Sequence, residues 1–134
     1  MTIYIGVAAG LIVLLFAYVR LVPHDIATVH QDFRIAEDLD DPGGVWRKVK
    51  VPAEELHEVI LREPRTIVLA GSPDEGRTTY VTRSAFWGFP DYTTVVAKKN
   101  QSHIHARLRF GKSDLGVNSA RVERWLSHLN TRDY

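Results

Sequence analysis

The first apolar stretch of the chain has no period at all. From Thr2 to Val19 no residue is charged, and most are Ile, Leu, Val, Ala, Gly or aromatic. Carried past Arg20 to Val22 the stretch is about 20 residues, which at 1.5 Å per residue matches a hydrocarbon core of about 30 Å. It predicts a transmembrane anchor over residues 2–22. Tyr4 and Tyr18 lie near its two ends, where amphipathic rings favour the headgroup level, Arg20 can snorkel outward, and Pro23 closes the helix. A cleaved signal peptide would begin with Lys or Arg, run for fewer apolar residues and end in a small-x-small site. A buried core helix would show a polar face. This segment shows none of these features. Gly6 and Gly10 form a G-x-x-x-G that can seat a second helix closely, so dimerisation through this face is one expectation.

Patterning begins after a polar interval. Residues 23–44 hold scattered charges, the acidic run from Glu37 to Asp41, and Pro42-Gly43-Gly44, and are expected to form a solvated linker. The acidic run lacks the alternating ligands, glycine and closing Glu of a calcium loop. Val45 to Val51 alternates loosely and reads as a strand. Pro52 suits the first position of a helix whose start is favoured by Glu54 and Glu55 and whose apolar stripe is Leu56, Val59, Ile60 and Leu61, ended by Pro64. Four strand-like runs follow, at Arg65–Ala70, Arg77–Trp87, Tyr92–Lys98 and His103–Phe110. The links between them are short and rich in turn residues, which demands antiparallel hairpins. Asn118 is expected to cap a last helix from Ser119 to about Asn130, with Val122, Trp125, Leu126 and Leu129 on one face. The expected soluble domain, residues 45–134, is therefore α+β: an antiparallel meander in the order β-α-β-β-β-β-α with two helices on one face.

Period-2 alternation sorts the last strand. Ile104, Ala106, Leu108 and Phe110 point toward the helices, and His103, His105, Arg107 and Arg109 point away. Arg77, Thr79, Val81, Arg83 and Trp87 share one side of the second strand of the hairpin series. If that is the side of Arg107 and Arg109, the sheet carries a basic patch bordered by Trp87. Guanidinium groups suit bidentate carboxylate or phosphate contacts, so the patch is a candidate site for an anionic or protein partner. The alternative is a solvated face whose arginines pair with local carboxylates.

Composition narrows the chemistry further. The 134 residues include 17 Lys+Arg and 16 Asp+Glu, a net charge of +1 that provides no broad field for nucleic acid, and no nucleic-acid partner is expected. With no cysteine, disulfides, thiolate catalysis and Cys-based zinc sites are excluded. His103-x-His105 has a spacing compatible with a metal, but only His57 or a distant carboxylate offers a third ligand, and the adjacent arginines oppose a cation. Ser84, Ser113 and Ser119 lie in no nucleophile-elbow context. No catalytic residue, metal or cofactor is assigned. The rival to a binding domain is a small enzyme or ligand carrier with a pocket between sheet and helices, using Asp91, Asp114 and Arg109.

The densest local feature is the loop Gly111-Lys112-Ser113-Asp114-Leu115-Gly116-Val117-Asn118. Its glycines permit φ > 0, Ser113 and Asp114 can form a capping turn, and Lys112, Ser113, Asp114 and Asn118 join Arg83, Arg107 and Arg109 as candidate contacts. With Arg109-Phe110 before it and Arg121-Val122 after it, this run resembles the C-terminal signature of a bacterial and plant domain-of-unknown-function family, the one numbered 1499. The pattern there is approximately S-R-x-G-x-S-D-x-G-x-N-x-x-R-[IV]. Arg83-Ser84 and the segment from Phe86 to Asp91 are similar to the family's R-S…F-x-D-D, although Tyr92 stands in place of the second Asp and His105, Ala106 and Leu108 depart from the pattern. The resemblance covers roughly residues 45–130. It implies export from the cytoplasm, since members commonly carry signal sequences, lipid anchors or membrane helices, and it implies no reaction. The positive-inside rule leans the other way, because Arg20 and Arg34 follow the anchor. The expectation is a membrane-anchored, non-enzymatic binding or accessory domain of the bacterial inner membrane, periplasmic by resemblance and cytoplasmic by charge.

Overall fold

The computed structural model describes residues 1–129. The expected end of the last helix near Asn130 and the domain limit at Tyr134 lie outside the described residues. Helix α1, Thr2–Leu21, is long and apolar enough to cross a membrane, with a mean hydropathy of 2.3. Its side chains are exposed until the last turn, where Val19 is buried. Gly6 and Gly10 face open space.

Six strands follow in one antiparallel sheet of order β1-β2-β6-β5-β4-β3. They are β1 (Leu39–Asp41), β2 (Gly44–Val49), β3 (Thr66–Ser72), β4 (Arg77–Arg83), β5 (Pro90–Lys98) and β6 (Gln101–Leu108). Strands β3 to β6 form the expected meander, and β2 returns beside β6. Helices α3 (Ala53–Leu61) and α4 (Val117–Leu129) cover one face, giving the expected α+β architecture. Between them and the sheet, Val45, Leu56, Ile60, Tyr80, Ile104, Ala106, Val122 and Trp125 fill the interior, each no more than 2% exposed. Those side chains pack as one continuous core between the sheet and the helices.

Several expected boundaries move for identifiable reasons. Pro52 takes the N-cap of α3 and the first helical residue is Ala53. Strand β4 stops at Arg83 because Ser84 turns back, exchanging both backbone hydrogen bonds with Phe89 or Gly88, and Gly88 adopts φ 75° to close that turn. Trp87 therefore leaves the sheet. The acidic run is not wholly solvated either. Asp40 and Asp38 lie against Arg47, Asp41 accepts from the Trp46 indole and the Gly43 amide, and residues 39–41 form the outer strand.

The largest departure concerns residues 23–36. Expected as a solvated linker, this segment contains the single-turn helix α2 (Ile26–Val29) and lies across the sheet face opposite α3 and α4. Ile35 is only 6% exposed. Thr79 and Thr94 already bond each other across the sheet at 2.9 Å; the strap adds a further partner to each and gives His103 Nδ1 its donor.

Candidate functional site

The strapped face is built from alternate residues of β4, β5 and β6. Thr79, Tyr92, Thr94, His103, His105 and Arg107 project from it, as the two-residue period requires. Each meets the strap. His30 Nδ1 is 2.8 Å from the Thr79 hydroxyl, His24 Nδ1 is 2.7 Å from the Tyr92 hydroxyl, and the Thr94 hydroxyl donates to the Val29 carbonyl at 3.0 Å. The Ile35 amide donates to His103 Nδ1 at 2.9 Å. His105 lies flat on Trp46 with centroids 3.4 Å apart, and Phe33 meets both rings edge-on. Gly71 of β3 accommodates the strap too. A β-carbon there would lie 2.7 Å from the His30 ring, and its φ of 75° suits glycine.

Arg83 stands on the same face as Arg107 and Arg109, a relation that alternation within each strand left open. Their partners are uncharged groups, most of them carbonyls. Arg107 donates to the Val29 carbonyl at 2.6 Å, to the His105 carbonyl and to the Thr94 hydroxyl. Arg109 donates to the Pro23 carbonyl at 2.8 Å and approaches His24 Nδ1 at 3.2 Å. Arg83 donates to Val19 and Gly88 carbonyls at 3.2 and 2.9 Å and reaches the Arg20 carbonyl at 3.4 Å. The carbonyls of Val19 and Arg20 end α1, so Arg83 binds the negative end of that helix. Among the described residues no carboxylate oxygen lies within 4.0 Å of any of these three guanidinium groups. Their charge is held in place without being neutralised.

This environment depresses the bases beneath the strap. Burial, reinforced by Arg107, pushes His105 down to about 3, and burial also lowers Arg107 to about 10. Burial lowers His24, with Arg83 and Arg109 adding to it; burial likewise lowers His30 and His103. His103 and His105, the candidate metal pair, are thus each engaged elsewhere. His57, the proposed third ligand, lies on α3 with Nδ1 2.7 Å from the Tyr80 hydroxyl, on the far side of the sheet.

At the end of α1 the polar face gives way to an aromatic collar. Phe16 lies 6.1 Å from Phe86 and 5.9 Å from Trp87, Tyr18 lies 6.1 Å from Phe110, and Phe110 lies 6.4 Å from Phe89. Arg20 stacks 4.3 Å from the Phe16 centroid and donates to the Phe86 carbonyl at 3.0 Å. Gly88 makes room for it, since a β-carbon there would sit 3.0 Å from the Arg20 guanidinium. Phe86 is nonetheless 69% exposed and Trp87 41%.

The 111–118 loop forms a separate cluster on the helix side. Asp114 does the capping expected of Asn118: its carboxylate accepts from the Gly116 and Asn118 amides at 2.9 and 3.2 Å. Buried Asn118 turns inward, donating to Asp114 at 2.9 Å and Asp91 at 3.3 Å and accepting from Arg121 at 2.7 Å. Arg121 also donates to Asp91 at 3.2 Å and lies 3.8 Å from Glu63, which takes the Trp125 indole N–H and Arg124. Burial raises Asp91 above the ordinary carboxylate range, against the pull of Arg121. Ser113 accepts from the Leu115 amide, and Lys112 is exposed. The candidates therefore fall into two groups, Arg83, Arg107 and Arg109 on the strapped face and Ser113, Asp114 and Asn118 in the loop. Asp91, Asp114 and Arg109, the rival's trio, do not converge, because Asp91 and Arg109 face opposite sides of the sheet.

Sequence reasoning missed Arg20 and Arg65 as partners of Arg83, and Glu63 and Arg121 as partners of the loop. Only Arg121 carried a signal, as the arginine of the C-terminal motif. In space the second half of that motif, Asp114, Gly116, Asn118 and Arg121, is one hydrogen-bonded unit, while Arg109 lies on the other face. The family model described as "Protein of unknown function (DUF1499)" matches residues 33–129, which takes in the end of the strap as well as the sheet, α3 and α4. No curated protein matches the chain.

Proposed function

This chain belongs to the DUF1499 family of proteins of unknown function, and from its own geometry we infer a membrane-anchored, non-enzymatic binding or accessory domain of the bacterial envelope. The observation that carries this reading is the seating of the last turn of α1. Val19 is buried in the domain, its carbonyl accepts from Arg83, and Phe16 lies against Phe86 and Trp87. A signal peptide is cut from the domain that follows it, whereas this turn is part of the fold. The seating supports an anchor that stays. It also supports a domain held against the bilayer rather than swinging on a tether.

The partner is anionic in this reading. Arg20, Arg83, Arg107 and Arg109 gather at one end of the domain, bonded to neutral acceptors, so positive charge accumulates where the chain enters the membrane. The exported side follows from the family resemblance. Intact mass of the chain extracted from alkali-washed membranes tests the anchor: a retained N-terminus is expected, and a mature chain beginning after residue 22 overturns it. Alkaline phosphatase fused after Tyr134 tests the side, with an active fusion expected and an inactive one refuting export.

A further inference from the structure

Beside the seated end of α1 is a groove of about 320 Å³ that neither the strap nor the aromatic collar fills. Arg20, Arg65, Ile67, Val81, Arg83 and Gly88 line it. It lies at the free edge of the sheet, since β3 has no outer neighbour. Ile67 on that edge is 62% exposed and gives the groove an apolar wall. The three arginines give it a strongly basic rim, and among the described residues no carboxylate oxygen comes within 4.0 Å of any of them. Arg65 spends only Nε on the protein, donating to the Arg83 carbonyl at 3.0 Å. Arg20 spends one Nη on the Phe86 carbonyl. Both residues are exposed. Arg65 also holds φ 58°, a conformation that glycine or asparagine adopts with less strain.

The depth of the groove follows from the helix. Phe16 precedes Arg20 by about 6 Å along the axis, at 1.5 Å per residue. Phe86 and Trp87 flank Phe16, so the collar reaches farther toward the bilayer than Arg20 does. Exposed aromatic rings favour the interfacial zone, which sets the groove at the level of the headgroups. We propose that this groove holds the phosphate of an anionic phospholipid from the bilayer that α1 enters, with Arg20 and Arg65 donating to it and Ile67 against its glycerol and first methylenes. The proposal rests on the anchor reading above. Guanidinium forks match phosphate geometry, and a cation near an anionic surface is worth about 1 kcal/mol, or about fivefold in binding.

The test uses the full chain in nanodiscs of phosphatidylcholine with or without phosphatidylglycerol, followed by native mass spectrometry of the lipids it retains. Elution with the discs reads the anchor; the ratio of retained lipids reads the groove. A chain that enters the discs is expected to keep phosphatidylglycerol in preference to phosphatidylcholine, with Arg65→Gln reducing that preference about fivefold and Arg65→Lys restoring part of it. Arg65 is exposed and makes one hydrogen bond, so the fold survives the change, and Arg20→Gln provides a second measure. Lys99→Gln, in the exposed turn between β5 and β6, is the control. Equal retention by wild type and Arg65→Gln in a chain that elutes with the discs overturns the groove while leaving the anchor standing. So does an equal loss from Lys99→Gln, which is the behaviour of net charge alone. Displacement of the lipid by millimolar inorganic phosphate overturns the lipid as occupant in favour of free phosphate. Failure to elute with the discs overturns the anchor reading itself.

Discussion

The two faces of the sheet are covered in opposite ways. Under α3 and α4 the contacts are mainly apolar, with the Asp91–Asn118–Arg121–Glu63 cluster at one end, and the burial of Leu56, Ile60, Val122 and Trp125 stabilises them through area removed from water. Under the strap the contacts are directional: hydroxyls, imidazoles and guanidinium groups bond the backbone of residues 19–36. Each such bond nets about 0.5–1.5 kcal/mol, more where the donor is charged. A face held by burial resists every condition that keeps water out. A face held by neutral imidazoles and buried guanidinium groups depends on pH. That difference is what makes the strap the part of the domain that can respond.

The contrast is broken most severely from the apolar side. Trp125→Ala removes a fully buried ring and is expected to cost about 3–5 kcal/mol in chemical denaturation, loosening both faces together. Acidification comes next and acts on one face. His105 has a folded pKa near 3 against 6.5 for an unperturbed imidazole, and His24, His30 and His103 are lowered in the same sense. Such groups bind more protons unfolded than folded, so stability rises with pH across that window and is lost as pH falls from about 6.5 toward about 3. Around them, Arg77, Arg83, Arg107, Arg109, Lys48, Lys98 and Arg34 favour the neutral rings, while Asp32, Asp41 and Glu75 oppose them. Hydrogen exchange is expected to show residues 24–35 losing protection on acidification before the α3 and α4 amides do; simultaneous loss would contradict the comparison.

Arg107→Gln sharpens the same contrast at neutral pH. It removes charged hydrogen bonds to Val29 and Thr94 and is expected to cost about 1.5–3 kcal/mol, read as faster exchange in the strap while the α3 and α4 amides keep their protection. The smallest effect belongs to Lys112→Ala. Its side chain is exposed, and the expected change in denaturation midpoint is within about 0.5 kcal/mol.

Much of the helix-covered face was legible beforehand because alternation and helical spacing are local codes. Ile104 and Ala106 against His103 and Arg107 could be sorted by counting in twos, and Val122, Trp125 and Leu129 by counting in threes and fours. Arg107 and Arg109 were legible as a row on one face. Their partners were not, because a backbone carbonyl is the same group in every residue and leaves no mark in a sequence. Asn118 misled for a related reason. Asn and Asp both cap helices, and the choice of Asp114 depends on Asp91 and Arg121 drawing the Asn118 side chain inward.

By itself, then, the amino-acid sequence determined an uninterrupted apolar helix, an antiparallel meander, its two helices and the face on which Arg107 and Arg109 stand. Each follows from chemistry repeated at short range. Only the tertiary structure decided that residues 23–36 cover the sheet, that Arg83 grips the end of α1, and that Arg65 comes beside Arg20 across a groove. Those contacts join residues tens of positions apart through hydrogen bonds to the main chain, and such bonds are specified by the fold as a whole.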